Sequence, residues 1–120
     1  MTFYFYELLG DIMKLQLKLI FFILIFSSVA FAQVSGSAEK GAKLYKKKCV
    51  ACHGKQGEGK KSQKAPKLAG QHDWYLYEQL VATQSGKRVN KKMMPFVKGL
   101  SDQDLKDLAV YISTSFPWKQ

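Results

Sequence analysis

At 120 residues the chain has room for one ordinary domain and not comfortably for two. Its two Cys stand three residues apart, which excludes a disulfide framework, because a bond between them would close a tiny loop and constrain little. The formal charge of +10 fits acidic partners, and the apolar stretch 15–32 contrasts so strongly with the Lys-, Gly- and Gln-rich sequence after Ser35 that the two parts are read separately.

Residues 13–32 have the three zones of a secretory signal. Lys14 and Lys18 form a positive entry, 19–26 is an unbroken apolar core, and Ala30-Phe31-Ala32 supplies a small-x-small cleavage pattern. The apolar run falls short of the roughly 20 residues that span a bilayer, so cleavage after Ala32 is expected over a retained anchor. An uncleaved signal would leave the protein on the membrane. No Cys lies nearby for lipid attachment. Residues 1–12 carry Glu7 and Asp11 ahead of the positive zone and read as an over-extended start, with Met13 the more ordinary one. The expected organisation is a signal at 1–32, a short linker at 33–37 and one domain at 38–117. Residues 33–120 keep 17 Lys or Arg against 7 Asp or Glu. A domain this small buries little apolar surface and calls for a staple, either a metal or a large cofactor once a disulfide is set aside.

Ser37 is placed to cap a helix over 38–49, with Glu39 near its positive end and Lys46, Lys47 and Lys48 in its last turn. Gly41 and Tyr45, four apart, share one face, where the glycine admits a close helix. Next comes Cys49-Val50-Ala51-Cys52-His53, the pattern of a c-type haem attachment site. Cys at i and i+3 point the same way on one helical turn, so both sulfurs reach the vinyl groups of one porphyrin as thioethers, and His53 is brought beneath the iron. A thioredoxin-type dithiol would need a strand-rich chain, and a zinc site would crowd adjacent Cys and His into one tetrahedron.

From Gly54 to Gly70 the composition reads as a loop, long enough to wrap something. His72 follows as a surface residue. A middle helix is expected over 73–84, with Trp74, Tyr77, Leu80 and Val81 inward and Gly86 ending it. Met93 and Met94 lie forty residues or so beyond His53, in a Lys- and Pro-containing segment that makes a poor core position. One of the two is expected as the second iron ligand, whose soft sulfur favours reduced iron and closes the sixth position. Ser101-Asp102-Gln103-Asp104 opens a final helix with Leu105, Leu108, Ala109 and Ile112 inward, and Pro117 stops it. The expected fold is all-α, three main helices and loops around a flat cofactor.

Four segments in order resemble the class I cytochromes c, especially small bacterial periplasmic mono-haem members and the repeated units of their two-haem relatives. They are Cys49 to Gly54, Ala65 to Gln71, Met93 to Phe96, and Leu100 to Ile112. The resemblance implies one covalently attached haem c, with His53 as proximal ligand. It implies that the Pro66 carbonyl accepts a hydrogen bond from the other ring nitrogen of His53, and that Leu68 touches the haem. It also implies that Gly41 and Tyr45 meet the last helix near Tyr111, and that Met93 is the distal ligand, with Met94 the alternative favoured by the Met-Pro pairing. The function it implies is a periplasmic one-electron carrier, a monomer and not an enzyme. The alternative is a haem subunit through which electrons enter a larger oxidoreductase. Lys43, Lys46, Lys47 and Lys48, with Lys91, Lys92 and Lys98, are expected to face redox proteins with acidic docking surfaces. No nucleic-acid partner is expected for an exported chain, and at most peripheral contact with anionic membrane.

Overall fold

The computed structural model describes residues 2–26 and 33–118. The chain divides into two compact units, Met1–Phe31 and Ala32–Gln120. In the first, Thr2–Phe26 forms helix α1. The expected cleavage segment, 27–32, lies outside the described residues. Among the described residues no helix is long and apolar enough to cross a membrane.

The second unit is all-α among its described residues, with an isolated bridge between Lys60 and Ala65 as its only extended pairing. Its helices are α2 (Ala38–Lys48), α3 (Val50–His53), α4 (Asp73–Gln84), α5 (Met94–Val97) and α6 (Asp102–Ser115). The three long ones are those the periodicity predicts. Ser37 caps α2, its Oγ accepting from the Lys40 amide at 3.4 Å. Ser101 and Asp104 form a reciprocal capping box at the start of α6, each accepting from the other's backbone N–H at 3.1 and 2.9 Å.

Helices α2 and α6 cross in close contact at Gly41. A Cβ there would overlap the backbone oxygen of Asp107 and stand 2.7 Å from the Tyr111 Cβ. One turn along, the Tyr45 ring packs between Tyr111 and Phe116, with centroids 5.5 and 5.2 Å away. Asp107, only 1 % exposed, is a buried carboxylate with its needs met: it accepts from the Ser37 amide at 2.7 Å and from Gln103 Nε2 at 2.9 Å. It thereby ties the entry of α2 to the middle of α6. Leu105, Leu108, Ala109 and Ile112 are all buried on the predicted inward face of α6.

Helix α4 corrects one expectation. Tyr77 and Leu80 pack against the core and Val81 is half-buried, as expected, but Trp74 is half exposed, and the fully buried residues are Leu76 and Thr83, with Leu80 between them. These stand at i, i+4 and i+7, a stripe two residues on from Trp74. Apolar residues occur on more than one side of this helix, so periodicity does not single out a face. Thr83 enters the core because its hydroxyl donates to the Gln79 carbonyl at 2.8 Å. Tyr77 donates to Asp102 and Lys106 pairs with Asp102 at 2.7 Å, joining α4 to the start of α6 at the surface.

The α2–α6 contact generates a stability prediction. Gly41→Ala must push two backbones apart and is expected to cost about 3 kcal/mol, read from the denaturant midpoint of the haem-loaded protein. A loss within a few tenths of a kcal/mol would contradict the contact.

Candidate haem site

The site begins where α2 stops. Cys49 adopts φ −113°, which ends the helix one residue short of the expected boundary, and α3 starts immediately after it. One turn carries the whole attachment segment: the Cys52 and His53 amides both donate to the Cys49 carbonyl, at 3.2 and 2.9 Å. Both cysteines are free thiols; Cys49 is buried and Cys52 half-buried. Burial pushes the Cys49 thiol up to about 11.

His53 is 6 % exposed, with its Nδ1 2.9 Å from the Pro66 carbonyl oxygen. A carbonyl only accepts, so this nitrogen carries the proton, and in the neutral ring Nε2 is left with a bare lone pair. The ring is thus in the tautomer that a metal requires, with its orientation fixed from behind. Two thiols one turn apart and a neutral imidazole directly after them fit a covalently held haem. Among the described residues, no three or more His, Cys, Asp and Glu side chains gather into a metal site made by protein alone.

The loop after His53 explains how the Pro66 carbonyl arrives there. The Gly59 amide donates to the His53 carbonyl at 2.8 Å. Lys60 and Ala65 then exchange both backbone hydrogen bonds, at 3.0 and 3.1 Å, around a 3-10 turn at Lys61–Gln63. This small hairpin lays Gly59 against the returning chain: a Cβ at Gly59 would stand 2.8 Å from the Pro66 carbonyl carbon and the Lys67 nitrogen. Gly59 also sits at φ +79°, where a side chain is strained in any case. Behind the hairpin, Tyr45 donates its phenol proton to the Gly54 carbonyl at 2.7 Å. Lys60 Nζ reaches the Ala51 carbonyl inside the attachment segment at 2.9 Å. Leu68 is half-buried against the core, its amide donating to the Gly57 carbonyl at 2.8 Å.

Met93 caps α5 and Met94 opens it, both half-buried. Asn90 organises the approach: its Oδ1 accepts from the Met93 amide at 3.1 Å and its carbonyl from the Met94 amide at 2.9 Å. His72 is exposed, its ring stacked on Trp74 at 6.2 Å. An open cleft of about 370 Å³, lined by Val34, His72, Asp73, Val110 and Trp118 among others, includes none of the attachment residues. Gly59, Lys60 and the Tyr45 phenol were not read from sequence as parts of the site. The signal for Gly59 and Lys60 is the Gly-Glu-Gly-Lys-Lys run, which announces turns without saying what they approach, and nothing local marks the Tyr45 phenol.

Fold and site together define a helical domain built to carry a haem joined to two cysteines. The family described as Cytochrome c matches residues 38–116. Cytochrome c4 of Thiocapsa roseopersicina is 44% identical over 66 residues, which cover 55% of this chain and 33% of that protein. Cytochrome c-554(547) of Halothiobacillus neapolitanus is 36% identical over 91 residues, covering 67% of this chain and 98% of the relative. Among solved structures, cytochrome c4 of Acidithiobacillus ferrooxidans superposes with a TM-score of 0.58 at 32% identity, over 68% of this chain and 54% of that one. The chain belongs to the cytochrome c family, whose cofactor is covalently bound haem c. It spans between about a third and about half of the length of the cytochromes c4 it matches and nearly the whole of the smaller relative.

The hairpin yields the prediction for this site. Gly59→Ala is expected to move the Pro66 carbonyl off His53 and to cost about 2 kcal/mol or more. Unfolding of the loaded protein measures the cost, and an upfield shift of the His53 Nδ1–H proton resonance reports the weakened bond. An unshifted resonance would contradict the hairpin's role.

Proposed function

We propose that the protein is a periplasmic one-electron carrier. The observation that carries this reading is His53 itself, held with its Nδ1–H on the Pro66 carbonyl directly behind two thiols on one helical turn. Cys49 and Cys52 hold the cofactor as thioethers, and His53 Nε2 is the proximal iron ligand. Met93 is the distal ligand, with Met94 the alternative, and Leu68 supplies apolar wall. When bound, haem c supplies one iron that gains and loses a single electron. With His53 and a methionine both holding the iron, no position would be left for bond-making chemistry, so transfer would be outer-sphere and the protein no enzyme. The Pro66 carbonyl draws on the Nδ1 proton, which raises imidazole basicity and favours the oxidised state; the methionine sulfur pulls the other way. Their balance sets the potential.

Lys43, Lys46, Lys47, Lys91, Lys92 and Lys98 are exposed and Lys48 is half-buried; these are the lysines on which acidic redox partners would dock. Salt weakens that attraction. Export rests on the signal-like segment 13–32. The domain is taken to begin after cleavage at Ala32 and to work as a monomer.

Met93→Ala is expected to lower the potential and to let the reduced protein bind carbon monoxide promptly at neutral pH, while Met94→Ala changes neither. Optical titration and voltammetry measure both. The reverse outcome moves the ligand to Met94. Prompt binding by the native protein would contradict a closed iron site altogether.

A further inference from the structure

Gln84 is the last residue of α4 and half-buried at the edge of the core. Its Nε2 donates to two backbone carbonyls of the segment that follows the methionine pair, Val97 at 2.8 Å and Leu100 at 2.7 Å. Carbonyl oxygens only accept, so the amide is fixed with its NH2 inward and both of its protons committed. Val97 closes α5, is 1 % exposed, and also receives the Leu100 amide at 3.0 Å. One side chain therefore grips both ends of the turn through which the chain leaves α5 and enters the Ser101 cap of α6.

The entrance of the same segment has its own clasp, Asn90 to Met93 and Met94. Between these two clasps lie both candidate sulfurs. The entrance clasp is local, joining residues three and four apart, and it travels with the segment if the segment moves. Gln84 stands thirteen and sixteen residues from its partners and joins the segment to a different helix.

We infer that Gln84 is a positioning residue for the sulfur ligand: by pinning the exit of α5 to the end of α4, its side-chain amide sets how firmly methionine stays on the iron. The inference rests on the proposed methionine ligation. A thioether is a neutral, soft ligand and holds ferric iron weakly. Its release is then limited by what the loop must break in order to swing away. Two hydrogen bonds to an anchored helix are the largest specific restraint on that motion, and losing them is expected to raise the population of the methionine-off ferric form about tenfold.

The test uses the ferric holoprotein with three variants. Gln84→Met keeps length and apolar packing and removes both donors. Gln84→Glu turns a carboxylate on the same two carbonyls. Tyr77→Phe breaks an α4–α6 hydrogen bond that does not touch the segment, and so reports what general loosening does. Added imidazole competes for the position that methionine vacates, and the weak far-red absorption of sulfur-bound ferric iron reports the native state. The expected result is an imidazole affinity about tenfold higher in Gln84→Met, higher again in Gln84→Glu, and unchanged in Tyr77→Phe. The far-red band should also be lost at lower pH in both Gln84 variants. Equal affinities in wild type and Gln84→Met, or a rise of the same size in Tyr77→Phe, would overturn the inference while leaving methionine ligation intact. A wild-type protein without the far-red band would overturn the ligation reading, and the inference with it.

Discussion

The domain depends on one close approach, the backbone of α2 at Gly41 against the backbone of α6 at Asp107. From that contact a single stripe of α2 runs to the haem segment. Gly41, Tyr45 and Cys49 stand four residues apart in succession and share a face. The first sets the distance between the helices. The second packs its ring, tilted, between Tyr111 and Phe116 and sends its phenol to Gly54. The third delivers a buried thiol. The core and the attachment segment are therefore parts of one packing arrangement, and Asp107 locks it from the other side through Ser37 and Gln103.

Past Cys49 the design principle changes from helix packing to backbone hydrogen bonding. Leu68 is the one large aliphatic side chain in the Gly54 to Gly70 stretch, so the chain shapes itself mainly through glycines and carbonyls. Five glycines in the protein take positive φ, and four of them, Gly54, Gly57, Gly59 and Gly70, fall in this stretch. The outcome is a hairpin rigid enough to present a single carbonyl to His53. With its Nδ1–H committed to the Pro66 carbonyl the His53 ring is held against flipping, and its other nitrogen is left for metal. The methionine side is built differently, from a one-turn helix clasped at both ends by side-chain amides.

How much of this is legible in the sequence depends on the range of the interaction. The attachment motif, the Ser37 and Ser101 caps and the inward face of α6 are local patterns, and the structure has helices over 73–84 and from Asp102 where periodicity puts them. The α4 stripe is read only in part: Tyr77 and Leu80 do pack on the core, but Trp74 looks like core by type and is half exposed, whereas Thr83 becomes core only after its hydroxyl finds the Gln79 carbonyl. The one-turn helices α3 and α5 are too short to produce a period. Gly59 and Gln84 are invisible for another reason: each acts on a carbonyl brought near by tertiary folding, and a carbonyl leaves no mark in sequence. The pairing of His53 with Pro66 was reachable only through the family resemblance.

The account stands on a porphyrin joined to two sulfurs of one helical turn. Its most direct test is the intact mass of the protein recovered from the periplasm of cells that carry a haem-attachment system, after acidic acetone has stripped any loosely held haem. The expected value is that of a chain beginning at Gln33 plus one haem. A folded product weighing no more than its polypeptide would contradict the account.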